Sequence, residues 1–293
     1  MDGQQPPQIT WIESDDLRVA VSDLGAEMQI LRDAEGRDFL WDGDPQWWSG
    51  RSPILFPIVG RAPGDRVEID GQGGEMPQHG FARRMVFECV RSEPSRVIHS
   101  LTDSIATQCS YPRPFALTVG HAVKGKTLSV TATVSNTGRS LLPFGLGFHP
   151  AFRWPLPGGE DRPHTIRLHN GAEPELARLE DGLLRRDRRP SPFRQGKLTL
   201  EPGFFEDDAM IFPEDAGEAL TYRAEAGPKL DFRFNGFPNL GLWQKPGAPF
   251  ICIEPWHGMA AEQGAGPEIS DRPFTKTLAA GAIARFSWSV TIG

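Results

Sequence analysis

Hydrophobic residues recur along this chain with a period of two rather than 3.6. In KTLSVTATVSNTG, Leu128, Val130, Ala132 and Val134 fall on one face, and Ser129, Thr131, Thr133 and Ser135 on the other. Asn136, Thr137 and Gly138 then supply a turn, so the spacing predicts a half-buried antiparallel strand. Near the carboxyl end Ala284, Phe286, Trp288, Val290 and Ile292 alternate with Arg285, Ser287, Ser289 and Thr291 in the same way. Leu17–Val21, Val97–Leu101 and Phe115–Val119 are shorter runs of strand character. The Pro53–Val59 stretch is apolar on both faces and reads as a buried strand or extended passage. Helical periodicity is weak throughout. Residues 160–200 are polar and read as loops around one or two short strands. Many short strands with turn signals between them imply an all-β sandwich or barrel. A single domain over residues 1–293 is the simplest organisation. A two-domain alternative would break around 157–163, where Pro157, Gly158, Gly159 and Pro163 cluster.

Composition supports many turns: Pro (27) and Gly (32) make up about a fifth of 293 residues. A net charge of −7 argues against nucleic acid or an anionic membrane as partner. The three cysteines, Cys89, Cys109 and Cys252, are odd in number and lack metal-type spacing, which suits free thiols in a reducing compartment. The amino-terminal MDGQQPPQITW has no secretory pattern, and no apolar run approaches the ~18 residues of a membrane span. A cytoplasmic protein, monomer or homodimer, is the expectation.

Polar groups at the ends of apolar runs are the candidates for chemistry. In FICIEPWHG, Phe250, Cys252 and Glu254 share one strand face, and Pro255 is expected to end the ladder at once. An ionised carboxylate buried there is costly unless paired. Glu254 therefore either neutralises an arginine or faces a cavity as a general base. Trp256 beside it is either core or a flat face for a sugar ring. In LGLGFHPAF, Gly145 and Gly147 leave space beside the His149 ring, and Pro150 holds His149 extended. In PQHGFARR an extended chain puts His79 and Arg83 on one face. Arg61 closes the SPILFPIVGR run.

Other chemistries stay open from these residues alone. His79, His149 and Glu254 could form a two-histidine, one-carboxylate metal site, although no ligand spacing supports it. A glycosidase would need a second carboxylate, such as Asp207 or Asp208 in FFEDDAMIF. No G-x-S-x-G, P-loop or G-x-G-x-x-G pattern occurs.

Together these stretches, with DLGAEMQILRD before them and LAAGAIARFSWSV after, resemble the aldose 1-epimerase (galactose mutarotase-like) family. SPILFPIVGR followed by QHGFAR is more similar to a bacterial branch of it than to the galactose mutarotases proper. The resemblance implies a large antiparallel β-sandwich (a supersandwich), with a sugar in an open cleft on one sheet and neither metal nor cofactor. It implies that His149 is the general acid and Glu254 the general base of ring opening. It also implies that His79, Arg61 and Asp208 contact the sugar. A hexose 6-phosphate substrate would need a basic pocket, for which Arg61, Arg83, Arg84 and Lys245 are available. A non-catalytic carbohydrate-binding sandwich is the alternative from another class.

Overall fold

The computed structural model describes residues 6–293. Residues 1–5, which belong to the expected domain and to the amino-terminal stretch read for a signal, lie outside the described residues. The fold is all-β. Its largest layer is a nine-stranded antiparallel sheet. The centre of that sheet is built from the two strongest alternations in the sequence. Thr127–Asn136 pairs with Ile283–Ile292 on one side and Phe115–Lys124 on the other. Leu128, Val130, Ala132 and Val134 are buried, as are Phe286, Trp288 and Val290, while the intervening polar residues face outward. Burying each large apolar side chain is worth about 1.5–3 kcal/mol.

A second, six-stranded sheet lies on the buried face of the first. Its strands are Met210–Phe212, Asn239–Trp243, Phe250–His257, Leu146–Phe148 and Ile54–Leu55, with Ala151–Arg153 also paired to Phe250–His257. Period two decides what each face of this sheet does. Ile251 and Ile253 enter the main core. Phe148 meets Trp288 and Phe237 of that core at ring-centroid distances of 6.1 and 6.0 Å. The alternate residues, Cys252, Glu254 and Trp256, therefore point away from the large sheet. A three-stranded sheet of Ile9–Glu13, Leu17–Ser22 and Met28–Asp33 packs against Arg96–Thr102 and Phe115–Lys124 of the large sheet. The main core cluster runs from Ile12 to Ile292, and residues on both sides of 157–163 contribute to it.

Two expectations change. Residues 160–200 hold four short strands rather than one or two. His164–Leu168 and Lys197–Thr199 extend the large sheet, and Leu179–Glu180 pairs with Leu183–Leu184 in a hairpin. His164, Ile166 and Leu168 are buried in alternation, a run short enough to be masked by the flanking charges. Pro53–Val59 is buried throughout, as expected, with Ile54–Leu55 as its strand. Pro255 does not end its ladder, since the strand continues to His257. Amides two residues apart point to the same side of a strand, and the Ile253 N–H donates to the Pro150 carbonyl. Position 255 would donate toward the gap between Leu146–Phe148 and Ala151–Arg153, so the missing N–H costs little there.

Candidate active site

The partner strands of Phe250–His257 keep one register across that gap. Gly147 stands opposite Trp256 and Ala151 opposite Cys252, which sets His149 opposite Glu254. Residues opposite each other share a face, so both side chains leave the core together. His149 Nε2 lies 3.3 Å from Glu254 Oε2. The His149 backbone is held from the other side, its N–H donating to the Pro53 carbonyl at 3.0 Å. Glu254 is 1% and His149 7% exposed, so the pair lies almost entirely out of water.

A cavity of about 310 Å³ opens above this pair. His79, Asp208 and Trp256 also line it, as does Arg83. Trp256 forms its floor. The space beside His149 read from Gly145 and Gly147 is not empty, because the indole lies against Gly147 and Gly241. A Cβ added at Gly147 would come within 2.5 Å of the ring, and one at Gly241 within 2.6 Å. Trp256 thus serves both readings given to it: it packs like core and presents a face to the cavity.

Aromatic rings hold the imidazole. Trp48 lies across His149 at 4.8 Å and 30°, while Trp243 and His79 meet it edge-on, each at 5.6 Å. No hydrogen bond reaches His149 Nδ1. Trp48 is itself fixed, its carbonyl accepting from the Trp41 indole N–H at 2.8 Å.

His79 reaches the cavity by a different route from the one expected. The chain around it is a turn followed by the 3-10 segment Ala82–Arg84, not a strand, and His79 has φ of +68°. The Gly60 N–H donates to His79 Nδ1 at 3.1 Å. A neutral His79 accepting there carries its proton on Nε2, which makes it a hydrogen-bond donor, with the Gln78 side-chain amide 3.4 Å from that nitrogen. Burial pushes its pKa well down, assisted by His149, Arg83 and Arg272, so it stays neutral. Arg272 steadies this wall, donating to the carbonyls of Val59, Arg61 and Met259 at 2.7–3.1 Å.

Of the two neighbouring aspartates, Asp208 lines the cavity, and Asp207 turns away to Arg189 at 2.6 Å. Arg178 fixes their loop by donating to the carbonyls of Phe204, Asp207 and Asp208. Asp208 Oδ1 accepts from the Ala209 N–H at 2.7 Å.

Arg61 is not brought to the cavity wall. Its guanidinium forms a two-pronged bond with Asp65, at 2.8 and 2.7 Å. The aspartate four residues on in GRAPGD is the signal that could have shown this. Of the other cations considered for a basic pocket, only Arg83 lines the cavity; Arg84 and Lys245 are exposed elsewhere. Arg83 donates to the Gln78 carbonyl at 2.9 Å, and its Nε is buried without a partner. Trp48, Trp243, Gln78, Leu179 and Ala260 are lining residues that the sequence reading missed. They come from segments far apart in the chain, and no local pattern marks them.

Electrostatically, burial acts on the two central groups in opposite senses. It lowers His149 to about 3 and raises Glu254 well above the usual carboxylate range, with Asp208 adding to the rise. The Trp256 indole opposes the Glu254 shift, although its N–H does not reach hydrogen-bond geometry with any partner. Burial thus favours imidazole and carboxylic acid over the ion pair. Both arrangements hold the same single proton; the 3.3 Å approach falls short of hydrogen-bond geometry at Glu254 Oε2, so its transfer needs the two groups to close up.

The profile of the family described as aldose 1-epimerase matches residues 7–262. The chain belongs to the aldose 1-epimerase family. Among its relatives, the chromosomal protein LacX of Lactococcus lactis subsp. lactis is 30% identical over 280 residues, covering 91% of this chain and 94% of LacX. A galactose mutarotase related enzyme from Lactobacillus acidophilus superposes with a TM-score of 0.92 at 28% identity, covering 98% of this chain and 97% of its own. A galactose mutarotase-like protein from Lactobacillus casei gives 0.89 at 25%, covering 98% and 100%. Membership of the aldose 1-epimerase family makes the protein an isomerase-type enzyme with a sugar substrate. No helix among the described residues is long and apolar enough to cross a membrane.

Proposed function

We propose that the protein is an aldose 1-epimerase that interconverts α and β anomers by opening and reclosing the sugar ring, with His149 and Glu254 as its acid–base pair. The observation that carries this reading is the buried 3.3 Å approach of the two groups under an open cavity. The anomeric hydroxyl oxygen and the ring oxygen are both bonded to C1, so an adjacent acid and base can address them together. Glu254, as carboxylate, takes the proton of the C1 hydroxyl. His149, as imidazolium, delivers a proton to the ring oxygen as the C1–O5 bond breaks. The aldehyde turns about C1–C2, and the ring closes on its other face with the roles reversed. The pair reaches the required charged form by moving its own proton, without exchange with solvent. His79, as an Nε2–H donor, stabilises charge developing on oxygen. Trp256 offers its face to the C–H groups of the ring.

Only protons pass between protein and sugar in this scheme, and the C1–O5 bond opens and re-forms with no net redox change, so independence of metal and cofactor is part of the proposal. Dialysis against a strong chelator is expected to leave the rate of anomer exchange undiminished. A loss restored by one divalent ion would overturn the scheme. Asp208 is assigned to a sugar hydroxyl. Asp208→Asn should raise KM several-fold with kcat retained, as removal of uniform binding does; an equal fall in kcat and kcat/KM would place it in the chemistry instead.

A hexose 6-phosphate is the second reading. It is favoured by Arg83, which faces the cavity and has no carboxylate partner among the described residues. Polarimetry or exchange NMR over a panel of aldoses and hexose 6-phosphates tests both readings. Binding without acceleration would leave a carbohydrate-binding protein. One domain over residues 1–293 belongs to the proposal, supported by the continuous core. Cytoplasmic residence also belongs to it, supported by three unpaired cysteines.

A further inference from the structure

The face that carries Glu254 also carries Cys252, whose thiol has no part in the scheme above. Cys252 is wholly buried beneath Trp41, Trp48 and Trp243, next to Ala151 and Phe250. Ala151 stands opposite it, one step along the ladder from His149. One potential ligand atom from each of His149, Cys252 and Glu254 lies within 4.8 Å of the other two.

Imidazole nitrogen, thiolate sulfur and carboxylate oxygen are the three donor types of zinc sites. On a tetrahedron with ordinary zinc bond lengths, ligand atoms stand roughly 3.3–3.8 Å apart. His149 and Glu254 already stand at 3.3 Å, and the Cys252 ligand atom lies within 4.8 Å of both. The charges also suit a buried site. A divalent cation with one thiolate, one carboxylate and a neutral imidazole sums to zero, which removes most of the penalty of burying an ion. His149 and Glu254 line the cavity, so a cation held by them would stand at its wall. Magnesium and calcium, which take oxygen ligands, do not fit this donor set.

We propose that His149, Cys252 and Glu254 form a binding site for a borderline-soft divalent cation, zinc above all, and that its occupation shuts the sugar out. Binding breaks the Cys252 S–H bond and, where Glu254 is protonated, its O–H bond. Both protons pass to solvent, and no electron is transferred. The cation-binding part stands on the three side chains alone. The inhibitory part rests on the proposed epimerase activity.

The test uses the full chain with the exposed Cys89 and Cys109 changed to serine, leaving Cys252 as its thiol. Titration with cobalt(II) should give a thiolate-to-metal charge-transfer band that zinc displaces. Cys252→Ser in that background should abolish the band and weaken zinc by ~10-fold or more, at least the loss seen for second-shell changes. Glu254→Gln keeps the thiol and serves as the second variant: the band should persist at lower affinity. A parent without the band, or zinc affinity unchanged by Cys252→Ser, overturns the site. In anomer-exchange assays zinc should inhibit the parent, magnesium should not, and Cys252→Ser should raise the half-inhibiting zinc concentration by the same factor as its loss of affinity. Zinc bound at Cys252 without inhibition overturns the inhibitory part. Failure of every aldose to be anomerised faster would strike the epimerase reading instead, and the cobalt titration would still decide the site.

Discussion

Glu254→Gln is expected to exchange anomers about 10²–10⁴-fold more slowly than the parent, the range typical of a lost general base. Gln keeps the shape and an acceptor oxygen but cannot take the C1 proton, so KM should move far less than kcat. The alternative raised by the sequence, a structural pair with a buried arginine, predicts destabilisation by about 3–5 kcal/mol on losing the charge. The structure pairs Glu254 with His149 instead. Because burial raises the Glu254 pKa, the stability that goes with its protonated form is present below its unfolded value. That stability is lost as pH rises through the folded value. Gln removes that dependence, so the variant should melt no lower than the parent above pH 7. Anomer-exchange kinetics and thermal melts on one preparation read both effects. A variant that exchanges at the parent rate would remove Glu254 from the chemistry.

The second large effect is on acid stability. His149 and His121 are both lowered by burial to about 3, from an ordinary value of 6.5. Above pH 6.5 both histidines are neutral in the folded and unfolded states and contribute no pH dependence. Between 6.5 and about 3 the unfolded chain takes up protons that the folded chain refuses, so stability falls as pH falls. Integrated over that window, His121 alone removes stability on the order of several kcal/mol, a large part of the 5–15 kcal/mol typical of a domain, while His149 is offset by Glu254, whose raised pKa acts in the opposite sense. His121 lies between the large and the amino-terminal sheets, outside the cavity, so it can be changed without touching the proposed chemistry. His121→Leu should move the acid-unfolding midpoint to lower pH, as followed by circular dichroism. An unchanged midpoint would show that His121 is not one of the groups that drive acid unfolding.

What the sequence disclosed follows from what is local in it. Period-two alternation located Thr127–Asn136 and Ile283–Ile292 because each strand records its own burial. The Glu254 and His149 motifs were legible because a charge or an imidazole at the end of an apolar run is anomalous by itself. Their contact was not legible. It depends on a register held across the Phe148–Pro150 gap, and nothing in either segment states that register. Trp48 and Trp243 were invisible for the same reason, since a tryptophan that lines a cavity looks like one that fills a core. Arg61 was assigned to the sugar by the resemblance alone, without the aspartate four residues further on that takes its guanidinium. Asp208 was told from Asp207 only by the loop that Arg178 pins.

The packing of Trp256 against Gly147 and Gly241 has a consequence for how such a site could be altered. Two hydrogens, where other residues carry carbon, set the height of the cavity floor. A methyl at either position would come within 2.5–2.6 Å of the indole, so the ring must shift for it to fit. Glycine at both positions is thus what lets Trp256 lie where it does, and a change at either would reach the cavity wall through the ring rather than through the acid or the base.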